Sequence, residues 1–231
     1  MITWLYPRRC MRCDGLLSAK EQYCCTDCEE KLSFVAQPFC YCCGKPLLSA
    51  EKELCSDCEQ YPKSFIRNQS LFLYEGAEKD SLSRFKFQNR REYAAAYAAY
   101  LAEQKKVWIT SLQVDALLPV PIHKNKRRQR GYNQAEFLAV ELGKRLCLPV
   151  LKEQLIRVHD TMAQKELSRM QRLKNLERAF KYQSNGVKCR RVLLVDDIYT
   201  TGTTLEACTR VLLRAGVEEV YGITVAVGQG F

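Results

Sequence analysis

Histidine is almost missing from this 231-residue chain, which has only His123 and His159. Both stand far from the cysteine-rich front and read as loop or surface residues, so neither is expected to ligate a metal. Long apolar runs are missing as well. The opening Met1-Ile2-Thr3-Trp4-Leu5-Tyr6-Pro7-Arg8-Arg9-Cys10 lacks the apolar centre of a signal peptide. The most alanine-rich stretch, Tyr93 to Ala102, is far too short to cross a bilayer. A soluble, cytoplasmic protein with no membrane insertion is expected. The nucleotide-binding pattern Gly-x-x-x-x-Gly-Lys-[Ser/Thr] is also absent, because Gly44-Lys45 precedes Pro46 and Gly143-Lys144 precedes Arg145. That excludes a P-loop ATPase.

Acid is scarce in one part of the chain only. Residues 1–68 carry 9 Lys+Arg against 9 Asp+Glu, whereas residues 69–231 carry 27 against 17 and so supply the whole net charge of +10. An excess of this kind attracts phosphate, either on a small ligand or along a nucleic-acid strand.

Cysteine, by contrast, is abundant: there are thirteen, ten of them within residues 10–58. A reducing cytosol disfavours disulfides. Four Cys-x-x-Cys pairs follow one another: Cys10/Cys13, Cys25/Cys28, Cys40/Cys43 and Cys55/Cys58. Eleven residues separate the first pair from the second, and eleven the third from the fourth. Two residues between cysteines let one tight turn aim both sulfurs at one ion, and a second turn completes a tetrahedron. Structural zinc, one or two ions, is the expected cofactor, with an iron–sulfur cluster or redox thiols as the alternatives. The first two pairs are taken as one site and the last two as another; interleaving stays open, and Cys24 and Cys42 offer substitute ligands. Cys147, Cys189 and Cys208 read as free, mostly buried thiols.

The texture changes at Pro62-Lys63. This places a cysteine-rich module at 1–63 and an α/β domain at 64–231. A strand is expected at Ser70–Tyr74. A helix follows at Ala77–Phe87, with Leu82, Phe85 and Phe87 as candidates for its buried side. A second helix spans Arg91–Lys106, amphipathic through Tyr93, Tyr97, Tyr100 and Leu101. Val114–Pro121 reads as a buried strand, Lys124–Gly131 as a basic loop and Asn133–Leu146 as a helix. A strand is possible over 150–158, and Asp160–Glu177 reads as a mobile polar arm. Arg191–Val195 then forms a strand, Thr203–Ala215 a helix and Val220–Val227 a last strand. Such alternation implies a mostly parallel sheet covered on both faces.

The segment Val192-Leu-Leu-Val-Asp196-Asp197-Ile198-Tyr199-Thr200-Thr201-Gly202-Thr203-Thr204 carries the chemistry. An apolar strand delivers two carboxylates to its carboxyl end, where ligands bind open α/β sheets. Adjacent carboxylates suit the vicinal hydroxyls of a ribose. The hydroxylated, glycine-containing turn that opens the next helix suits a phosphate. A phosphoacceptor pocket is the rival reading, but its acids normally follow an early strand.

This run resembles the 5-phosphoribosyl 1-pyrophosphate (PRPP) motif of type I phosphoribosyltransferases. The whole chain resembles the ComF family of competence-associated proteins. The resemblance rests on the cysteine pairs, on Leu118-Pro-Val-Pro-Ile-His-Lys together with Arg128-Gln-Arg130-Gly131-Tyr132-Asn133-Gln134-Ala135, on the spaced set Arg157, Thr161, Gln164, Leu167, Arg172 and Asn175, and on Val195 to Thr204. It implies a type I phosphoribosyltransferase-like parallel sheet behind an N-terminal double zinc ribbon. PRPP would be held at Asp196, Asp197, Ile198, Tyr199, Thr200, Thr201, Gly202, Thr203 and Thr204, with Mg2+ bridging its oxygens. Pyrophosphate or DNA phosphate would meet Pro119, Val120, Arg127, Arg128, Arg130, Gly131, Lys165, Arg169 and Arg172. Family partners would be a competence helicase and a DNA-loading protein. Single-stranded DNA is a further expected partner, with Phe85, Phe87, Tyr132 and Tyr199 as candidate stacking faces. Whether the chain catalyses transfer is left open, because the purine-salvage transferases carry an acid where Thr200 stands. A scaffold role for the zinc module is the third reading.

Overall fold

A computed structural model describes residues 7–160, 168–184, 186 and 188–229, and for Arg169 the backbone alone. Two single helical turns, α1 (Thr26–Glu29) and α2 (Ser56–Gln60), each begin directly after a cysteine and bury the next one, Cys28 and Cys58. The α/β part then runs β1 (Arg67–Leu73), α3 (Gly76–Phe87), α4 (Tyr93–Leu112), β2 (Ala116–Pro119), α5 (Lys124–Arg130) and α6 (Gln134–Leu146). It continues with β3 (Leu155–Arg157), α7 (Arg169–Ala179), β4 (Phe180–Tyr182), β5 (Arg191–Tyr199), α8 (Thr203–Arg214) and β6 (Glu219–Val227).

β1, β6, β5 and β2 form a parallel sheet in that order, while β3 and β4 make a separate antiparallel pair. The central strands are near-continuous apolar runs because helices cover both faces. Leu193 and Val195 of β5 join α4 and α6 in one core; Val192 and Leu194 join α8 in the other.

Each half of the cysteine module belongs to one of these cores. Cys10, Cys24 and Cys28 pack with the α4 face, and Cys40, Cys43, Cys55 and Cys58 with the α8 face. The segment joining the two halves runs along the open side of β1: Phe34 bridges Phe72, and the Val35 N–H donates to the Leu71 carbonyl at 2.8 Å. Asn68 N–H donates to the Cys42 carbonyl at 2.7 Å. The edge strand is thereby covered. The β2 edge is covered by residues 149–151, through Leu117 N–H to Pro149 and Leu151 N–H to Leu117.

Several expectations need correction. Lys124–Arg130 is a helix and not a loop. His123 caps it by accepting the Asn125 N–H at 3.3 Å, and Gly131 ends it with φ of 80°. His123 is buried, against the expected loop or surface position. Phe87 is 67% exposed because α3 ends there, whereas Leu82 and Phe85 are buried as expected. Part of the expected arm is the regular helix α7, started by a capping box between Ser168 and Gln171. Thr161 to Leu167 lie outside the described residues. Among the described residues, no helix is long and apolar enough to cross a membrane.

Candidate ligand site and metal centres

The site lies at the carboxyl edge of the sheet. β5 runs through both acids, so strand alternation sends Asp196 and Asp197 to opposite faces. Asp197 is buried on the α3 side and pairs with Lys86 at 3.1 Å. Asp196 accepts the Asp197 N–H at 2.8 Å. Burial, and then the like charge of Asp197, raise its carboxyl to about 7; the Asp197 N–H, Lys86 and Arg130 only partly offset this.

The loop after β5 opens α8. Gly202 holds φ of 73° at the helix start and offers no side-chain cap of its own; the Thr203 N–H donates to Thr201 Oγ1 at 3.5 Å, and this first turn suits an anion. Thr201 and Thr203 hydroxyls meet at 2.8 Å. Asp196, Thr200, Gly202, Thr203 and Thr204 line one small cavity, with Thr224 of β6 at its floor.

β2 pairs with β5 and sets Pro119 beside Val195. The Val120 N–H donates to the Val195 carbonyl at 2.9 Å, and buried Asn133 donates to the Val120 carbonyl at 3.1 Å. The turn after Pro119 is thus fixed next to the two acids.

Basic side chains gather here. Lys126 is lowered by burial and then by Arg157, Arg130 and Lys86. Arg157 is lowered by burial, offset in part by Asp160 and Asp196. Arg130 lies over the Phe87 ring at 5.0 Å. Lys86 and Lys126 were not among the expected site residues, and Arg157 entered only through the family resemblance. Lys126 lies within a legible basic run, but nothing in the local sequence marks Lys86. Arg127 and Arg128 are exposed on α5, where Arg127 pairs with Glu136 at 3.1 Å. Arg172 sits on the exposed side of α7, which is joined to α8 through Glu177 and Arg210 at 3.0 Å. Lys165 and the Arg169 side chain fall outside the described residues.

Of the four expected stacking faces, Phe85, Tyr132 and Tyr199 are core residues. The Tyr132 hydroxyl donates to the Phe85 carbonyl. Phe87 alone of the four presents its ring to solvent.

The cysteines converge as two groups of four. Cys10, Cys13, Cys25 and Cys28 lie within 4.8 Å of one another by sulfur, as do Cys40, Cys43, Cys55 and Cys58. Four thiolates cannot share such a space without a cation, and an all-sulfur tetrahedral set suits zinc. The second group is wholly buried; in the first, Cys13 is exposed. Cys24 and Cys42 lie outside both groups. Burial pushes the Cys24 thiol up to about 12, as befits an apolar side chain.

The sheet and its cysteine-rich front define a class: an α/β phosphoribosyltransferase-type domain joined to a zinc-ribbon module. Residues 1–59 match the double zinc ribbon domain family, and residues 130–229 match the phosphoribosyl transferase domain family. Competence protein F of Haemophilus influenzae is 33% identical over 92% of this chain and 93% of its own length. Competence protein ComFC of Bacillus subtilis is 30% identical over 90% and 89%. DNA utilization protein YhgH of Escherichia coli K12 is 28% identical over 93% and 94%. The chain belongs to the ComF family of competence proteins. The ribbon match and the two four-cysteine groups support structural zinc.

Proposed function

We propose that the protein handles single-stranded DNA entering the cell during natural transformation, and that it carries a site for PRPP or a related phosphoribose at the β5–α8 edge. The domain boundary is placed at 63/64. The observation that carries the reading is the gathering of Lys86, Lys126 and Arg130 at the paired acids of β5, with Lys86 at 3.1 Å from Asp197 and Arg130 over the Phe87 ring. A cluster of partly buried cations attracts a polyanion. Asp196 and Asp197 would take the ribose hydroxyls, and the Thr200–Thr204 amides and hydroxyls the 5-phosphate. The turn at Pro119 and Val120 would face the pyrophosphate, with Mg2+ on the ligand oxygens. Exposed Arg127, Arg128 and Phe87 would meet the strand. The names of the relatives, competence protein and DNA utilization protein, support this role.

Calorimetry with PRPP and Mg2+, on wild-type protein and an Asp196→Asn/Asp197→Asn variant, tests the pocket. A transformation assay of the same variant tests its use. Saturable binding that the variant loses, together with lost transformation, is expected; transformation that survives without binding would remove the pocket from the function. A second reading, phosphoribosyl transfer, is favoured by the Asp196 carboxyl standing near 7, within range for proton exchange with an acceptor. Release of pyrophosphate from PRPP with an added acceptor would establish it.

A further inference from the structure

Tyr199 ends β5 with its ring turned inward and only 2% exposed. Its hydroxyl is buried and has no hydrogen-bond partner among the described residues. Buried hydroxyls are rarely left so, since the lost water is not replaced. What surrounds it is informative. On one side lies Gly202 of the phosphate loop, so close that a Cβ there would meet the Tyr199 hydroxyl and lie 2.5 Å from Cζ and 2.8 Å from Cε2. The loop backbone therefore rests on the phenol. On the other side are Phe65, edge-on at 6.2 Å, and the apolar core that also holds Cys40, Cys43, Cys55 and Cys58. A phenol keeps its proton at neutral pH, so the group offers an unanswered O–H here.

A second route links the same knuckle to the same loop. Asn68 of β1 donates through Nδ2 to the Cys43 carbonyl at 3.0 Å and lies 3.4 Å from the Ser70 hydroxyl. Ser70 meets Thr224 at 2.7 Å, and Thr224 floors the cavity that Asp196 and the loop threonines line. Among the described residues, the first cysteine group is joined to the sheet differently. Its knuckle is held by α3 and α4, through Ser81 to the Met11 carbonyl and Tyr93 to Asp14.

We propose that Tyr199 is a positioning residue that couples the second zinc centre to the phosphate loop, its O–H dipole turned toward the thiolate charge and its ring supporting Gly202. A zinc ion held by four thiolates leaves a net charge of about −2, which attracts a neighbouring O–H. Loss of that charge frees the ring, and with it the floor of the loop. The inference rests on the phosphoribose reading only for what the loop binds, not for the coupling itself.

The test uses the full zinc-loaded chain and Tyr199→Phe, which keeps the ring and removes the hydroxyl. Zinc release to a chromogenic chelator is expected to quicken about tenfold for one of the two equivalents and stay unchanged for the other. Hydrogen exchange of the amides at 200–205 is expected to rise in the variant. In wild-type protein the same amides should lose protection when the more slowly released zinc leaves, and not when the first does. Unchanged release from both centres in Tyr199→Phe, or loop exchange indifferent to the second zinc, would overturn the coupling. Ribose 5-phosphate is titrated in parallel. Failure to bind wild-type protein would count against the phosphoribose reading while the zinc-linked exchange still judges Tyr199.

Discussion

The buried carboxylate of Glu206 on α8 accepts two hydrogen bonds from Ser64, one from its N–H and one from its hydroxyl, each at 2.7 Å. Arg210 donates to the same carboxylate at 2.6 Å and to Glu177 of α7 at 3.0 Å. The exit of the cysteine module, α8 and α7 are thus joined through Glu206 and Arg210. Glu206→Ala leaves part-buried donors unanswered and should cost about 1–3 kcal/mol in denaturant melts. Trypsin should then cut more readily after Lys63, whose side chain is 3% exposed and pairs with Asp57 at 3.1 Å. Unaltered cleavage would mean that the junction is held elsewhere.

Asp196 makes the fold sensitive to pH in the direction opposite to most carboxylates. Its carboxyl rises from 3.8 to about 7 on folding. The folded state therefore holds the proton more tightly, and the stability this group contributes is full below pH 4 and lost as pH climbs through about 7. Asp196→Asn should melt higher than wild type at pH 8, with the gap closing toward pH 5. A gap that does not vary with pH would refute the assignment. Ligand hydroxyls bond more strongly to the ionised carboxylate than to the neutral carboxyl, so the proposed phosphoribose binding should strengthen over the same rise in pH.

The two metal centres should empty in order. Cys13 is exposed, whereas Cys40, Cys43, Cys55 and Cys58 are all buried. A chelator should remove one zinc equivalent quickly and the second slowly, read from chelator absorbance. Cys13→Ser should abolish the fast phase alone. A single phase for both ions would show that the halves open together.

Strand binding should separate into charge and stacking. Each Lys or Arg that meets a phosphate contributes about 0.7 to the slope of log affinity against log salt. Arg127→Ala/Arg128→Ala should flatten that slope. Phe87→Ala should weaken binding by about 1–3 kcal/mol with the slope retained. Fluorescence anisotropy with a labelled oligonucleotide reads both; binding indifferent to salt would exclude the basic helix as the contact.

Much of this architecture is legible in the residues. The cysteine spacing gives two four-sulfur groups, and continuous apolar runs such as Val192–Val195 give parallel strands that need two covers. Helix α5 escaped detection because none of its residues is buried, so it has no apolar stripe to read. Its evidence lies in the ends, His123 as cap and Gly131 as stop. Tyr132 and Tyr199 look like stacking faces in the sequence, since an aromatic beside Arg or Thr carries no mark of depth. Their burial follows from where β5 and α6 meet other elements. Lys86 is the hardest case: it reaches Asp197 only because α3 ends at the sheet's carboxyl edge, a tertiary fact with no local trace.

The chain that runs beside β1 gives zinc shortage an unexpected reach. Val35 and Cys42 answer backbone groups of Leu71 and Asn68 that the sheet itself leaves open. Metal-starved protein would expose a seven-residue ribbon of amides and carbonyls, a template on which a second copy can pair. Starvation would then appear first as self-association of the folded back half, before any loss of its sheet.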